Sequence, residues 1–283
     1  MPNDYHVVAN GTLASRRRGA SATTWTYEQQ EPMATYLATV QVGRYVVRSL
    51  DASPDDTVPI EIVLPPSRVG DLERGFGRQV DMMRTFTDLF GPYPFAGYRV
   101  VVTDDELEIP LEAQGLSIFG SNFLDDSWSA ERLVAHELAH QWFGNSVTVR
   151  AWKDIWLHEG FACYAEWLWS EHSDRRPADD HAREHWERLD GLPQDLVLGD
   201  PGADDMFDDR VYKRGALLLH ALRLTVGDDR FGTLVRTWTE RHRHGSVGVE
   251  DFTDLAAEIA GEPLEALFEA WLWKPALPPL PER

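Results

Sequence analysis

Residues 129–143 read SAERLVAHELAHQWF, and WLHEGFA follows at 156–162. On a helix, positions four apart lie one above the other on one face. His136 and His140 therefore offer two imidazole nitrogens to one cation. Glu159, in the second stretch, adds a carboxylate oxygen from the next helix. Two His and one Glu, with the fourth position open, describe a catalytic site for one Zn2+ ion rather than a closed structural site. Glu137 stands beside the first ligand, where it can take a proton from the water that a metal activates. The flanks predict a helix over 129–143. Ser129 serves as N-cap, Asp125 and Asp126 lie at the positive end, and Gly144 follows the last turn. Two plainer readings compete: an amphipathic helix with two hydrogen-bonded surface His, or a site that has lost its metal.

A second His pair competes for attention. His181 and His185, in HAREH, match the inverted motif H-x-x-E-H. Their surroundings, 173–190, are dense in Asp, Arg and Glu. A zinc site needs a dry cavity and oriented outer partners, so this stretch reads as a solvated helix face. Arg241–His244 reads likewise as an exposed helix end closed by Gly245.

Composition narrows the classes. The 283 residues are 43% hydrophobic and 11% aromatic, enough for a sizeable core. Lys and Arg number 27 against 47 Asp and Glu, a net charge of −20. That argues against nucleic acid and against an anionic membrane as partner. It suits cationic substrates, although an acidic solvated surface is the simpler reading. Cys163 is the single cysteine, so no intrachain disulfide is possible, and it reads as a small core residue. No apolar run approaches a membrane span. The opening MPNDYHVV has neither the basic region nor the apolar stretch of a secretion signal. The expectation is a cytoplasmic protein.

Along the chain, strand-like runs come first. Tyr5–Ala9, Ala22–Tyr27 and Ala34–Arg48 are separated by Asn10-Gly11, a basic loop at 16–19 and Glu31-Pro32. Residues 51–56 and 65–67 read as linker. A helix is predicted over 71–90, stopped by Gly91-Pro92, then strands at 98–103 and 116–119. After the two zinc-bearing helices, further helices are predicted at 178–190, 209–226, 228–242, 250–260 and 263–272. The proline-rich tail 275–283 should be extended and partly mobile. Strands first and helices afterwards make an α+β unit. The domain expectation is 1–50 as one β-rich piece and 51–283 as the catalytic domain.

These motifs also carry a resemblance. His136–His140 with Glu159, the segment Trp156–Ala162 and VYKRGA at 211–216 together resemble the zinc aminopeptidases of the alanyl/lysyl aminopeptidase family. These are gluzincins with a thermolysin-like catalytic domain, and the resemblance covers about residues 30–275. It implies a mixed sheet followed by a mainly helical half, preceded by remnant strands of a β-domain. Tyr212 matches the tyrosine that stabilises the oxyanion of the tetrahedral intermediate. Glu112 matches the glutamate that holds the substrate's α-ammonium, within IPLEAQG at 109–115. There Leu111, Ala113 and Ile109 depart from the usual Gly-Ala-Met-Glu-Asn, which bears on the first substrate pocket. Glu166, two turns after Glu159, matches a family Glu and would accept the second N–H of a ligating His. Asp154, five residues before Glu159, is a weaker candidate for the same outer layer. His158 is not counted as a ligand.

EPMATYLAT at 31–39 resembles the closing strands of the family's N-terminal β-domain. The chain is therefore expected to be N-terminally truncated and without the C-terminal helical domain, with strand edges left unpaired. The resemblance implies a zinc aminopeptidase whose partners are peptides with a free amino terminus. The alternatives are a thermolysin-type endopeptidase and a truncated, non-catalytic zinc-binding or interaction module.

Overall fold

The structure, a computed structural model, describes residues 1–50 and 58–282. The linker reading of 51–56 lies outside the described residues. The chain divides into two compact units, 1–84 with 93–141 and 85–92 with 142–283.

The first unit holds most of the described strands. β1 (His6–Ala9) pairs antiparallel with β4 (Val40–Gly43), and β2 (Thr12–Arg18) with β3 (Thr23–Glu28). β2 takes in most of the expected basic loop. Its side chains are largely exposed on both faces, so no apolar alternation marks it. Cross-strand pairing holds it instead: Arg16 lies opposite Trp25, its guanidinium 4.4 Å from the ring centre. The strand-like run expected over Ala34–Arg48 breaks into a 3-10 turn (Thr35–Leu37), β4, and β5 (Val46–Ser49). It must break because β4 and β5 serve different sheets.

β5, β6 (Ile60–Leu64), β7 (Tyr98–Val102) and β8 (Leu116–Phe119) form a four-stranded sheet in that order. β5 runs antiparallel to β6, and β6, β7 and β8 are parallel. IEIVL and YRVVV are nearly continuous apolar runs, as parallel strands covered on both faces require. Val63, Val101, Leu116 and Ile118 pack with Val8 and Ala113 in one cluster. Residues 65–67 enter a 3-10 turn, Pro66–Asp71. The helix expected over 71–90 is two helices, α1 (Leu72–Phe76) and α2 (Gln79–Phe90), with Gly75 and Gly77 at the break, where helix propensity is lowest. α3 (Trp128–Ala139) completes this unit.

The second unit is mainly helical: α4 (Trp156–His172), α5 (Ala178–Asp190), α6 (Gly202–Asp205), α7 (Asp209–Val226), α8 (Asp228–Arg241), α9 (Val249–Ala260) and α10 (Glu265–Phe268). α10 continues as a π-helical turn, Glu269–Trp273. A short parallel pair, β9 (Val147–Val149) with β10 (Gly245–Val247), completes it. β10 begins at the Gly245 that was expected to close an exposed helix end. Every residue of α4 from Trp156 to Ser170 is buried, so this helix is an interior one. It packs along α7 more extensively than any other helix pair. Part of the tail is tethered rather than loose: Trp186 Nε1 donates to Pro278 O at 2.7 Å, and the Leu277 N–H to Gln194 Oε1 at 2.7 Å. Mixed sheet and helices make the α+β fold. Among the described residues, no helix is long and apolar enough to cross a membrane.

Candidate metal centre and active site

The N-cap of α3 lies two residues before the expected Ser129. Ser127 is its N-cap, the hydroxyl accepting from the Ala130 N–H at 3.4 Å. From Val134 to Ala139 every residue is buried. His136, Glu137 and His140 thus leave the helix inside the protein, not on a wet face. His140 is the C-cap but keeps helical dihedrals, and its N–H bonds to His136 O at 3.2 Å. The i,i+4 stacking survives, with ring centres 4.8 Å apart. The sheet ties this helix down. Tyr98 Oη on β7 donates to Ser117 Oγ on β8 at 2.8 Å, and Ser117 Oγ to Glu137 O at 3.4 Å. Burial holds the Tyr98 phenol well above its usual pKa, so it stays a neutral donor.

His136, His140 and Glu159 are all buried, and one potential ligand atom from each lies within 4.8 Å of the other two. Among the described residues no second such group forms. Two imidazole nitrogens and one carboxylate are the donor set of a catalytic zinc site, and a tetrahedral ion asks for donors about 3.3 Å apart. These residues fit zinc.

Glu159 belongs to the first turn of α4. His158, beside it, is buried and accepts the Val149 N–H on Nε2 at 2.9 Å, an interaction separate from the ligand group. Glu166 is buried two turns on. Lys213 Nζ of α7 stands 3.9 Å from Glu166 Oε2 and 3.0 Å from Cys163 Sγ. Cys163 is thus a core residue with a polar partner. Asp154 ends the 3-10 turn that leads into α4. It accepts the Val249 N–H at the start of α9, its Oδ1 has no hydrogen-bond partner, and burial raises its pKa.

Tyr212 lies half-buried in the first turn of α7, and Glu112 half-buried in the turn before β8. That turn closes a short return. Leu111 forms an antiparallel bridge with Ile118, each N–H donating to the other's carbonyl at 2.9 Å.

Three features around Tyr212 carry no family role in the sequence. Gly160 and Gly215 meet backbone to backbone: a methyl group on Gly215 would stand 2.8 Å from Gly160 Cα, and one on Gly160 2.9 Å from the Gly215 backbone. Both lie in the two motifs that follow the first His pair, and that is the only sequence signal they give. Arg214 is buried without a carboxylate. Its guanidinium donates to Trp271 O at 3.0 Å, Pro275 O at 2.7 Å and Leu196 O at 3.3 Å, and to the Lys274 carbonyl. Burial lowers its pKa to about 10.

The second His pair is not a solvated face. His181 is buried, its Nε2 is 2.9 Å from Ser170 Oγ, and both rings stack on Trp167. Burial, aided by Lys213 and Arg188, lowers the His185 pKa to about 4. The pattern of charges misled because α5 packs one narrow stripe against α7 and α4 and leaves the rest wet.

Comparison with known proteins follows the same lines. The Peptidase family M1 domain matches residues 75–271. Aminopeptidase M1-D of Oryza sativa subsp. japonica is 26% identical over 304 residues, spanning 98% of this chain and 34% of the rice protein. Aminopeptidase N of Lactococcus lactis subsp. lactis is 25% identical over 291 residues, 90% of this chain and 32% of that protein. An M1 zinc metallopeptidase from Deinococcus radiodurans, solved as a mutant bound to a Tyr-Ser-Ala substrate, is 32% identical. It matches with a TM-score of 0.88, over 99% of this chain and 64% of that one. The chain spans about a third of the length of the curated relatives it matches.

Proposed function

We propose, from the premise that this chain belongs to peptidase family M1, that it is a zinc-dependent aminopeptidase removing N-terminal residues from peptides by hydrolysis. The observation that carries the reading is the buried group His136, His140 and Glu159 with Glu137 next to the first ligand. His136, His140 and Glu159 would hold a zinc ion, which would supply Lewis-acid polarisation of the scissile carbonyl and a lowered pKa for the attacking water.

The chain's own residues do the rest. Glu137 accepts the proton of the attacking water and returns it to the leaving amine. Tyr212 donates its phenol hydrogen to the oxygen on which charge develops. Glu112 pairs with the substrate's α-ammonium, and a blocked amino terminus would leave that carboxylate facing no cation. Glu166 holds a ligating imidazole while Lys213 balances its charge. Asp154 acts at one remove, through the turn that leads into α4. The Deinococcus relative supports a peptide substrate, since it was solved with a tripeptide.

The domain division at residue 50 belongs to the same proposal. Among the described residues β1 pairs with β4 and β2 with β3, which supports a separate β-rich piece, while β5 (Val46–Ser49) already pairs with β6 across that boundary. A cytoplasmic location belongs to the proposal too, supported by a single buried thiol that needs no oxidising compartment.

The test is hydrolysis of aminoacyl-p-nitroanilides and their N-acetylated counterparts, with zinc, with chelator, and in Glu137→Gln. Cleavage of the free-amine substrates alone, lost with chelator and in the variant, is expected. Equal cleavage of blocked substrates would replace this reading with an endopeptidase.

A further inference from the structure

Asn10 and Gln141 hold one and the same turn, residues 112–115. Gln141 directly follows ligand His140 and is wholly buried. Its Oε1 accepts the Gly115 N–H at 2.8 Å, and its Nε2 donates to Ala113 O at 3.3 Å and Glu137 O at 3.5 Å. Asn10 follows β1 and is buried. Its Nδ2 donates to Gln114 O at 2.8 Å and Leu37 O at 3.0 Å, and its Oδ1 accepts the Thr39 N–H at 2.6 Å. Gln114 reaches back through Nε2 to Pro32 O at 3.0 Å.

Three successive residues after Glu112 are thus gripped by side-chain amides. The turn's form is further set by Gly115 at φ +75, a region a residue with a Cβ enters only under strain. Each amide bond is made by a buried group, so breaking one leaves a polar atom unsatisfied. Through Gln141 the turn is tied to the helix that bears His136, Glu137 and His140. Through Asn10 it is tied to the first fifty residues.

Resting on the amine-holding reading of Glu112, we propose that Asn10 and Gln141 are positioning residues that fix the Glu112 carboxylate for the α-ammonium of a peptide. They thereby set the preference for a free amino terminus. Neither side chain touches the peptide. They act through the turn, because a charge pair displaced by about 1 Å loses much of its value. The N-terminal strand segment is then part of the specificity apparatus.

The test measures binding in the zinc-loaded full chain carrying Glu137→Gln, which stops turnover. Calorimetry gives the Kd of the dipeptide Leu-Ala and of N-acetyl-Leu-Ala, with zinc content and thermal midpoint recorded for each protein. The blocked-to-free Kd ratio should fall by about tenfold or more in Asn10→Ala and in Gln141→Met, with zinc content unchanged. It should fall no further when Asn10→Ala is added to Glu112→Gln. Asn10→Ser replaces Asn10→Ala if the latter does not fold. If Glu112→Gln collapses the ratio while Asn10→Ala and Gln141→Met leave it intact, or if the effects add in full, the positioning role is overturned. If the ratio survives Glu112→Gln, the amine is held elsewhere, and that overturns the reading of Glu112 and the clamp with it.

Discussion

At the residue scale, the chemistry is divided among side chains whose removal gives different kinetic signatures. In the proposed mechanism Glu137 moves a proton at the reacting water, so Glu137→Gln should lower kcat by about 10²–10⁴-fold while zinc content stays at one ion. Tyr212 is read as a donor needed only when charge develops. Tyr212→Phe should therefore lower kcat by about 10²–10³-fold with little change in KM. A rise in KM at constant kcat would move Tyr212 from the transition state to ordinary substrate binding. His158 is the control beside Glu159. Its Nε2 is already engaged with the Val149 N–H, so His158→Gln should keep the zinc.

At the element scale, α4 and α7 carry Glu159 and Tyr212, and the two helices meet backbone to backbone at Gly160 and Gly215. In an exposed helix, Gly→Ala stabilises by about 0.5–1 kcal/mol. Gly232 on α8 has open space around a built Cβ, so Gly232→Ala should stabilise by that amount. At Gly215 the same methyl meets backbone that cannot step aside. Gly215→Ala should instead destabilise, by about 1–3 kcal/mol, and lower kcat as the two helices separate. Urea unfolding of the two variants gives the two signs directly. α5 offers a pH prediction. His185 has an ordinary pKa of 6.5, and burial takes it to about 4 in the folded chain. Between those values the unfolded chain binds a proton that the folded one does not. Stability therefore falls as pH drops from 6.5 to 4. His185→Gln should make that acid-side fall in Tm shallower, and an unchanged slope would show that His185 is not the group responsible.

At the scale of the whole molecule, metal and stability are linked. His136, His140 and Glu159 are buried together, and an ion they held would bind the folded chain only. A ligand bound only by the folded state adds RT ln(1 + [L]/Kd), about 4 kcal/mol at a thousand times Kd. Chelation should lower Tm by several degrees, and added zinc should restore it. His136→Ala should abolish both shifts. Arg214 works at the same scale, since its guanidinium ties the 270–276 segment and the loop at Leu196 to α7. A leucine there would leave several buried carbonyls unsatisfied, so Arg214→Leu should be among the most destabilising single changes in the helical unit.

The group that could hold a metal, the α+β class and most helices were legible in the sequence, because their signals are local. A 3.6-residue period stacks His136 over His140 whatever surrounds them, and Gly91-Pro92 stops α2 by its own backbone chemistry. β2 was not legible, because an exposed hairpin carries no alternation and its strand state is decided by the Trp25 across from Arg16. The packing of His181 and His185 on Trp167 was hidden for the opposite reason: a narrow buried stripe is outnumbered by wet charges. The sequence by itself determined which atoms could hold a metal and move a proton. Only the tertiary structure decided that His136, His140 and Glu159 converge in a dry interior, that Gly160 meets Gly215, and that Asn10 reaches a turn more than a hundred residues away. Those contacts join positions far apart in the chain, and no local period or propensity encodes such a distance.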